Sequence, residues 1–182
     1  MLISDAAFWI EKLGLEPHPE GGFYRQVYRA GEFVEAEALP DRFGGRRAFS
    51  TSIYFLLRAG DVSRFHRLKS DEIWHYHDGR PLLLHILERE GEHRAIRLGK
   101  NSETGEAFQA VVPAGLWFGA EVDAFDGFSL VGCTLAPGFD FADFELARRE
   151  PLLAEFPAHE DLIRCLTKPL RPRTRPVLFR LK

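Results

Sequence analysis

The spacing of apolar side chains changes twice along the chain, and each change predicts a different kind of element. Near the start, apolar residues between Ala7 and Leu13 recur at helical spacing. We expect Ser4 to cap this short helix and Gly14 to end it. From Phe23 onward the period becomes two, which indicates β-strands.

The middle of the chain alternates short runs of aromatic and β-branched residues with Gly, Pro, Asp and Asn turns at near-regular intervals. This spacing is typical of a β-sandwich or a β-barrel. The predicted strands cover residues 23–29, 48–58, 63–68, 72–78, 82–87, 94–98, 107–112, 116–121 and 128–135, with a polar loop at 31–47. After Pro137 the pattern returns to helical length, which predicts short helices at 144–147 and 159–166 packed on the outside.

Length and composition indicate one globular domain followed by a basic tail. A chain of 182 residues with 45% hydrophobic residues can bury one sizeable core, which we place in residues 1–167. The last fifteen residues carry six positive charges, no acid and three prolines, so residues 168–182 are predicted to form an extended arm. We expect this arm to dock on the acidic body or on a second subunit.

The charge balance and the cysteine count exclude several classes of protein. The net charge is −3, and residues 1–167 carry 18 basic against 27 acidic residues, a balance of −9 that repels a phosphate backbone. Nucleic acid is therefore not expected as a partner. No apolar run approaches the roughly 20 residues of a membrane span, and the first residues lack a signal-peptide pattern, so we expect a cytoplasmic protein. Cys133 and Cys165 lack zinc-site spacing and are expected to be inert thiols.

Residues 60–79 resemble the first sequence motif of the cupin superfamily. Gly60, His66, Glu72 and Gly79 match that motif at its spacings, whereas Leu68 stands where cupins have a second His. The second cupin motif is similar to residues 107–118. Its Pro and the Gly after it are present, but Ala107 and Phe118 replace its first Gly and its His.

Three separated segments resemble, in the right order, the family known as Cupin 5. They are residues 18–23, 70–75 and 112–118, and the resemblance runs from about Ser4 to Leu166. It implies an all-β fold, the double-stranded β-helix or jelly-roll barrel, with a ligand cavity in the barrel and usually a dimer. Keto-sugar epimerases are the well-understood relatives by architecture.

The candidate catalytic residues are His66 and Glu72, which we predict within contact range inside the barrel, beside Trp74 and Tyr76. An imidazole next to a carboxylate is a suitable general base, with Tyr54 or Tyr76 as its acid partner. In the structural alternative, His66 only hydrogen-bonds inside the barrel and Glu72 forms an ion pair with Arg64. The residues expected to bind a ligand are Glu20, Arg25, Gln26, Arg64, Lys69, Trp74, His75, Trp117, Phe118 and Glu121. Among them, Arg25, Arg64 and Lys69 are the candidates for holding a phosphate or carboxylate.

The ligand count argues against a tightly held metal. Cupin metal sites use three His and one Glu, and only His66 and Glu72 remain here. We therefore predict no cofactor, and leave open a weakly bound divalent ion with Glu121 or Gln26 as a further ligand.

Three functions fit these residues. The first is a metal-independent isomerase or epimerase acting on a small polar ligand such as a nucleotide-linked or phosphorylated sugar, with His66 as base. The second is a metal-dependent cupin enzyme that uses His66 and Glu72. The third is a barrel that binds a small molecule without converting it. We also expect a homodimer, because the aromatic strand 23–29 is suited to pair across subunits.

Overall fold

The computed structural model describes residues 5–167, so Ser4 and the predicted basic tail at 168–182 lie outside the described residues. The first sheet contains β1 (Glu16–Pro17), β2 (Phe23–Arg29), β5 (Thr51–Arg58), β7 (Glu72–Gly79), β10 (Gln109–Val112) and β12 (Phe128–Leu135). The second contains β6 (Val62–Leu68), β8 (Leu82–Leu87), β9 (His93–Leu98), β11 (Trp117–Val122) and β13 (Phe144–Leu146). β3 (Phe33–Val34) and β4 (Arg47–Ala48) form a separate two-stranded pair. The helices are α1 (Ala6–Leu13), α2 (Arg149–Glu155) and α3 (Glu160–Leu166).

The two large sheets are antiparallel and pack against each other. Their strand orders are β1-β2-β5-β12-β7-β10 and β13-β6-β11-β8-β9. Side chains from both sheets form one apolar core, in which Phe55 and Trp74 of the first sheet meet Phe118 and Leu84 of the second. The main strands therefore agree with the sequence prediction, since alternating apolar residues on each strand face this shared core.

Helix α1 ends at Gly14, as predicted. The side chain of Asp5 caps its start by accepting a hydrogen bond from the Phe8 N–H, and Gly14 closes the helix in the left-handed conformation. Trp9 and Leu13 pack against Leu56 on the outer face of the first sheet.

The predicted helix at 144–147 is wrong, because Phe144–Leu146 is a strand. It pairs with β6, with Phe144 opposite Leu68 and Leu146 opposite His66. The edge of β6 needs hydrogen-bond partners, and that long-range requirement overrides a short local pattern. The helix predicted at 159–166 is confirmed as α3, while α2 was not predicted. Both helices cover the outer face of the second sheet.

No helix within residues 5–167 has the length and apolar character needed to cross a membrane.

Candidate functional site

A cavity of about 350 Å³ lies inside the barrel. Strands β2, β5, β6, β7 and β12 supply most of its wall, and β1, the 18–22 loop and the segment 139–144 supply the rest. The lining residues are Glu16, His18, Glu20, Tyr24, Gln26, Thr51, Ile53, Phe55, His66, Leu68, Glu72, Trp74, Cys133, Leu135, Phe139, Phe141 and Phe144. This set contains three glutamates, two histidines and six aromatic rings other than histidine, but no Lys or Arg.

Strand alternation decides which residues of β5 face the cavity. Thr51, Ile53 and Phe55 line it, and so Tyr54 lies on the opposite face of the sheet. There its ring lies 5.7 Å from that of His77, edge to face. The predicted role of Tyr54 as a catalytic acid is therefore wrong.

Strand β7 brings Glu72 and Trp74 to the cavity wall. The Trp74 indole N–H donates a hydrogen bond of 2.8 Å to Oε2 of Glu72. Tyr76 packs against the core but is absent from the cavity lining, and its hydroxyl donates to the Gly79 carbonyl at 2.6 Å. The predicted catalytic role of Tyr76 is wrong because this hydroxyl is held away from the cavity.

The loop at residues 18–22 places Glu20 in the cavity. Its backbone closes on itself, with the His18 N–H donating to the Gly22 carbonyl and the Gly21 N–H donating to the His18 carbonyl. Gly22 has a φ of +68° and lies so close to β5 that a Cβ there would approach the Leu56 carbonyl oxygen to 2.6 Å. Only glycine fits this position, which explains the paired glycines after Glu20.

Glu20 is buried and is the centre of the polar network. Its Oε1 accepts a hydrogen bond of 2.8 Å from the Ser63 hydroxyl. Its Oε2 lies 3.3 Å from Nε2 of His66 and 3.4 Å from Nδ1 of His18. The Arg64 guanidinium does not reach this carboxyl group in a hydrogen bond, but it donates to the carbonyls of Pro19 and Glu20 and so fixes the loop.

Hydrogen-bond accounting assigns the imidazole protons. Nδ1 of His66 lies 2.8 Å from the Arg64 carbonyl oxygen, which only accepts, so Nδ1 carries a proton. The neutral His66 ring therefore has its lone pair on Nε2. Nδ1 of His18 accepts the Glu20 N–H at 3.2 Å, so it also presents a lone pair. Oε2 of Glu20 thus lies between two acceptor nitrogens, and a proton on this oxygen can be donated to either of them, one at a time.

Burial favours the same arrangement. It raises the pKa of the Glu20 carboxyl group and lowers the pKa of His66 to about 4, because a charge on either group loses its hydration. Burial also lowers the pKa of His18. Burial therefore disfavours a charge on Glu20, on His66 and on His18 alike.

Glu72 is a second protonated carboxyl group. Burial is the main cause that raises its pKa to about 8. Its Oε2 accepts from Trp74, and Oε1 makes no hydrogen bond or ion pair with any residue in 5–167. The cavity thus contains a neutral carboxylic acid with one oxygen available to a ligand. Burial also raises the pKa of the Cys133 thiol in the same wall.

The predicted partners of His66 and Glu72 need correction. Across residues 5–167, no hydrogen bond or ion pair joins these two side chains, and none joins Glu72 to Arg64. Both line the same cavity, but His66 contacts Glu20 instead. The reason is the 18–22 loop, which inserts the Glu20 carboxyl group next to the imidazole.

The three basic residues predicted to bind an anion do not line the cavity. Arg25 donates to the Leu13 carbonyl, and Arg64 holds the 18–22 loop. Lys69 lies 3.5 Å from the carboxyl group of Asp143. Their side chains are used in structural contacts, which corrects the predicted roles in phosphate or carboxylate binding.

Four further predicted ligand contacts also lie off the cavity wall. His75 contacts the Gln109 amide at 2.8 Å, and Glu121 lies 3.6 Å from His85 on the second sheet. Trp117 packs in the cluster beneath α2 and α3 because it points out of the barrel. Phe118 is buried in the core, where its ring centroid lies 4.1 Å from that of His66. Phe118 therefore orients the imidazole and makes no direct contact with the cavity.

Of the predicted ligand-binding residues, Glu20, Gln26 and Trp74 do line the cavity. Twelve lining residues were not among the predicted site residues, namely Glu16, His18, Tyr24, Thr51, Ile53, Phe55, Leu68, Cys133, Leu135, Phe139, Phe141 and Phe144. Strand alternation was a usable signal on β2, β5 and β12, because Tyr24, Ile53 and Cys133 each lie two positions from another lining residue. No local signal marks 139–144, because only the long-range pairing of β13 with β6 brings this segment to the cavity.

Within residues 5–167, no group of three His, Cys, Asp or Glu side chains is arranged to hold a metal ion. The residues at the metal-ligand positions of the cupin motifs are in line with this observation. Leu68 and Phe118 occupy the two positions where these motifs have further His ligands. Of the two further ligands named for a weakly bound ion, Gln26 lines the cavity together with His66 and Glu72, whereas Glu121 lies beside His85 on the second sheet. We derive no step through a metal.

Comparison with known proteins supports the family resemblance. Residues 7–147 match the family model described as Cupin_5, cupin superfamily (DUF985). A structure of a hypothetical protein from Leishmania major is 40% identical, with a TM-score of 0.81 over 90% of this chain and 98% of that one. A crystal structure of a Shewanella oneidensis protein is 43% identical, with a TM-score of 0.83 over 92% of this chain and 99% of that one.

Two proteins of lower sequence identity are also similar to this chain. An uncharacterised protein of Saccharomyces cerevisiae is 27% identical over 152 residues, covering 73% of this chain and 70% of the yeast protein. Oxalate decarboxylase of Bacillus subtilis is 16% identical with a TM-score of 0.51, over 82% of this chain and 36% of that one. This last likeness concerns the fold alone and confirms the predicted jelly-roll architecture.

Proposed function

This chain belongs to the Cupin_5 family of the cupin superfamily, and we propose that it binds a small polar molecule in its barrel and moves a proton on it. The reaction class is isomerisation or epimerisation next to a carbonyl group. The observation that carries this proposal is the pairing, in one cavity wall, of a neutral imidazole with a protonated carboxyl group. Opposed shifts of two titratable groups in one site are typical of an acid and base pair.

The cavity volume limits the size of the ligand. A water molecule takes about 30 Å³ in the liquid, so 350 Å³ corresponds to about twelve waters. That space encloses one monosaccharide-sized molecule. A nucleotide-linked sugar is too large to be enclosed, and a phosphorylated sugar finds no Lys or Arg among the described lining residues. The ligand class predicted from the sequence is therefore narrowed to an unphosphorylated molecule of monosaccharide size.

The proposed step assigns the proton to named atoms. Nε2 of His66 accepts the proton from the carbon next to the carbonyl, and the electron pair of that C–H bond forms the C=C bond of an enol. The carbonyl oxygen accepts the proton of Glu72. A proton returned to the same carbon from the opposite face of the enol gives the epimer, and a proton returned to the neighbouring carbon gives the isomer, as the enol oxygen gives its proton back to Glu72.

Glu20 controls when His66 can act as the base. The Glu20 proton has two acceptors at similar distances, Nε2 of His66 at 3.3 Å and Nδ1 of His18 at 3.4 Å. When this proton points to His18, the lone pair of His66 is free for the ligand. The imidazolium that forms is then stabilised by the carboxyl group of Glu20 beside it.

Proton exchange with solvent tests this function. The protein is incubated in D₂O with dihydroxyacetone or fructose, two small hydroxyketones, and NMR follows deuterium at the carbons beside the carbonyl. We expect incorporation faster than without protein, and a loss of about 100-fold or more in His66→Asn or Glu72→Gln. Glu103→Gln, in an exposed turn, is the matched control. Binding without any exchange would favour a non-catalytic binding module and contradict the catalytic part of the proposal.

We also propose a homodimer formed through β2. The neighbouring strand β1 covers only Phe23 and Tyr24, so the outer edge of the strand beyond them is open. Val27 and Tyr28 on that stretch are about half exposed, at 49% and 54%. A second copy paired along this edge would satisfy its free backbone groups.

A further inference from the structure

The cavity combines carboxyl groups and aromatic rings, and its described lining residues include no Lys or Arg. The carboxyl groups are those of Glu16, Glu20 and Glu72. Tyr24 and Trp74 lie in the same wall, together with the phenylalanines of segment 139–144. Carboxyl oxygens and aromatic faces are the two groups that recognise an organic cation in proteins.

One of the two carboxyl oxygens of Glu72 has no hydrogen-bond partner among residues 5–167. Glu72 is only 6% exposed, and its Oε2 is bound to Trp74. Oε1 has no hydrogen-bond or ion-pair partner within residues 5–167, although the side chain lines the cavity. This oxygen faces the cavity, so it is the position at which a ligand can supply a hydrogen-bond donor.

Glu20 differs from Glu72 in this respect. Both of its oxygens have protein partners, namely Ser63 on one side and the two imidazoles on the other. The ligand donor therefore binds at Glu72, opposite the aromatic wall, while Glu20 and His66 remain paired to each other. This separation assigns different tasks to the two carboxyl groups.

From this arrangement we infer that the natural ligand carries a cationic nitrogen, an ammonium or amidinium group, which forms an ion pair with Glu72 and lies among the aromatic rings. The inference rests on the proposed function, because it concerns the same cavity, and it narrows the ligand to a small organic amine with a polar body. Anions are excluded by the same geometry, since a phosphate or carboxylate entering this cavity would face carboxyl groups and no counterion.

Formation of an ion pair at Glu72 changes the number of protons bound to the protein, and this number can be measured. In the empty cavity Glu72 carries a proton at pH 7, because burial raises its pKa to about 8. A bound cation favours the ionised carboxylate, so the carboxyl proton leaves to the solvent as the ammonium group binds, and an N–H of the ammonium group held by Glu72 then replaces the carboxyl proton as the donor to the carbonyl oxygen. A neutral ligand of the same shape leaves the proton in place. Binding of the cation should therefore release about one proton for each ligand bound.

The test compares benzylamine, benzyl alcohol and benzoate, which share one ring and differ mainly in charge. Isothermal titration calorimetry at pH 7 gives each affinity, and repeating it in phosphate and in HEPES gives the number of protons released. We expect benzylamine to bind at least about tenfold tighter than benzyl alcohol, with proton release, as for one charge-assisted hydrogen bond. Benzoate should bind more weakly than either.

Glu72→Gln keeps the size of the side chain and removes its charge. In this variant the affinities for benzylamine and benzyl alcohol at pH 7 should agree within about twofold, because the ion pair is lost. The release of a proton on benzylamine binding should also disappear. Glu103→Gln should keep the wild-type preference. Circular dichroism and the melting temperature confirm that both variants are folded.

Three results would overturn the inference: equal affinity for benzyl alcohol, an amine preference that survives Glu72→Gln, or no benzylamine binding at about 10 mM. These results are separate from a failure of the proposed function. Hydroxyketones carry no amine, so deuterium exchange on them tests the acid and base pair on its own.

Discussion

Oε2 of Glu20 lies 3.3 Å from Nε2 of His66, a contact between residues 46 positions apart. Because Nδ1 of His66 is committed to the Arg64 carbonyl, Nε2 presents a lone pair, and the contact needs a proton from Glu20. The imidazole is therefore neutral and its carboxyl partner is protonated. This pairing differs from the expected contact of His66 with Glu72, and it leaves Glu72 free to bind a ligand.

The elevated pKa of Glu72 predicts a dependence of stability on pH. Below about pH 4.5, the ordinary pKa of this group, it is protonated in both the folded and the unfolded chain. Between pH 4.5 and 8 the unfolded chain releases this proton while the folded chain keeps it. The free energy of unfolding should therefore fall as pH rises through this window, by up to about 1.4 kcal/mol per pH unit from this group.

Denaturant unfolding of wild type and Glu72→Gln at several pH values between 5 and 8 measures that slope. Glu72→Gln should be less sensitive to pH, with a residual slope from Glu20, whose pKa is raised in the same direction. Glu103→Gln should keep the wild-type slope. Equal slopes in wild type and Glu72→Gln would show that Glu72 is ionised in the folded protein.

The ion pair of Arg47 with Asp143 anchors the cavity segment that sequence reasoning missed. Nε and Nη2 of Arg47 each donate a hydrogen bond of 2.6 Å to Asp143, and both side chains are buried. Asp143→Asn leaves a buried guanidinium without its counterion, and should lower the free energy of unfolding by about 3–5 kcal/mol. Chemical denaturation gives this value.

The control is Asp126→Asn, which removes the exposed partner of Arg80. Its effect should stay below about 1 kcal/mol, as for surface ion pairs. If the two substitutions cost the same, the buried pair does not fix segment 139–144.

Gly22 should be irreplaceable in the 18–22 loop. Gly22→Ala places a methyl group 2.6 Å from both the Leu56 carbonyl oxygen and Leu57 Cδ2, so the loop must move and carry Glu20 with it. We expect a loss of at least about 2 kcal/mol in the free energy of unfolding, from steric overlap and positive φ together.

Gly91→Ala provides the matched comparison, because Gly91 also has positive φ but no atom lies within 4 Å of a Cβ there. Gly91→Ala should lower the free energy of unfolding by about 1 kcal/mol, which is the effect of the backbone conformation alone. A loss no larger at Gly22 than at Gly91 would mean that the loop adapts without strain.

The open edge of β2 predicts the oligomeric state. Wild type should sediment as a dimer at micromolar concentration. Val27→Lys should shift it toward monomer, because a charged side chain on an edge strand opposes pairing. Val111→Lys, on the other edge strand of the sheet, should leave the dimer intact. A wild-type monomer would refute the proposal.

Much of the fold follows from local patterns. The nine predicted strands all correspond to strands of the structure, because each is a short run rich in apolar residues between clear turn signals. The error at Phe144–Leu146 arose where three residues carry too little pattern to separate helix from strand. Only the open edge of β6 decides between the two.

The site was predictable in part for the same reason. The cupin-like spacing placed His66 and Glu72 on the inner wall, and strand alternation added Trp74. The partner of His66 was not predictable, because Glu20 reaches it through a loop whose path depends on two glycines. The two tyrosines predicted as catalytic acids do not reach the cavity. Strand alternation places Tyr54 on the outer face of the sheet, and the hydroxyl of Tyr76 donates its hydrogen bond to the Gly79 carbonyl.

The protonation states of Glu72 and His66 test the central claim most directly. NMR titration of ¹³C-labelled carboxyl groups and ¹⁵N-labelled imidazoles, with Glu72→Gln and His66→Asn for assignment, reads both groups in the folded protein. We predict that Glu72 titrates near pH 8 and that His66 at pH 7 is neutral, with its proton on Nδ1. A Glu72 that titrates at its ordinary value near 4.5, or a His66 that is an imidazolium at pH 7, would contradict the account.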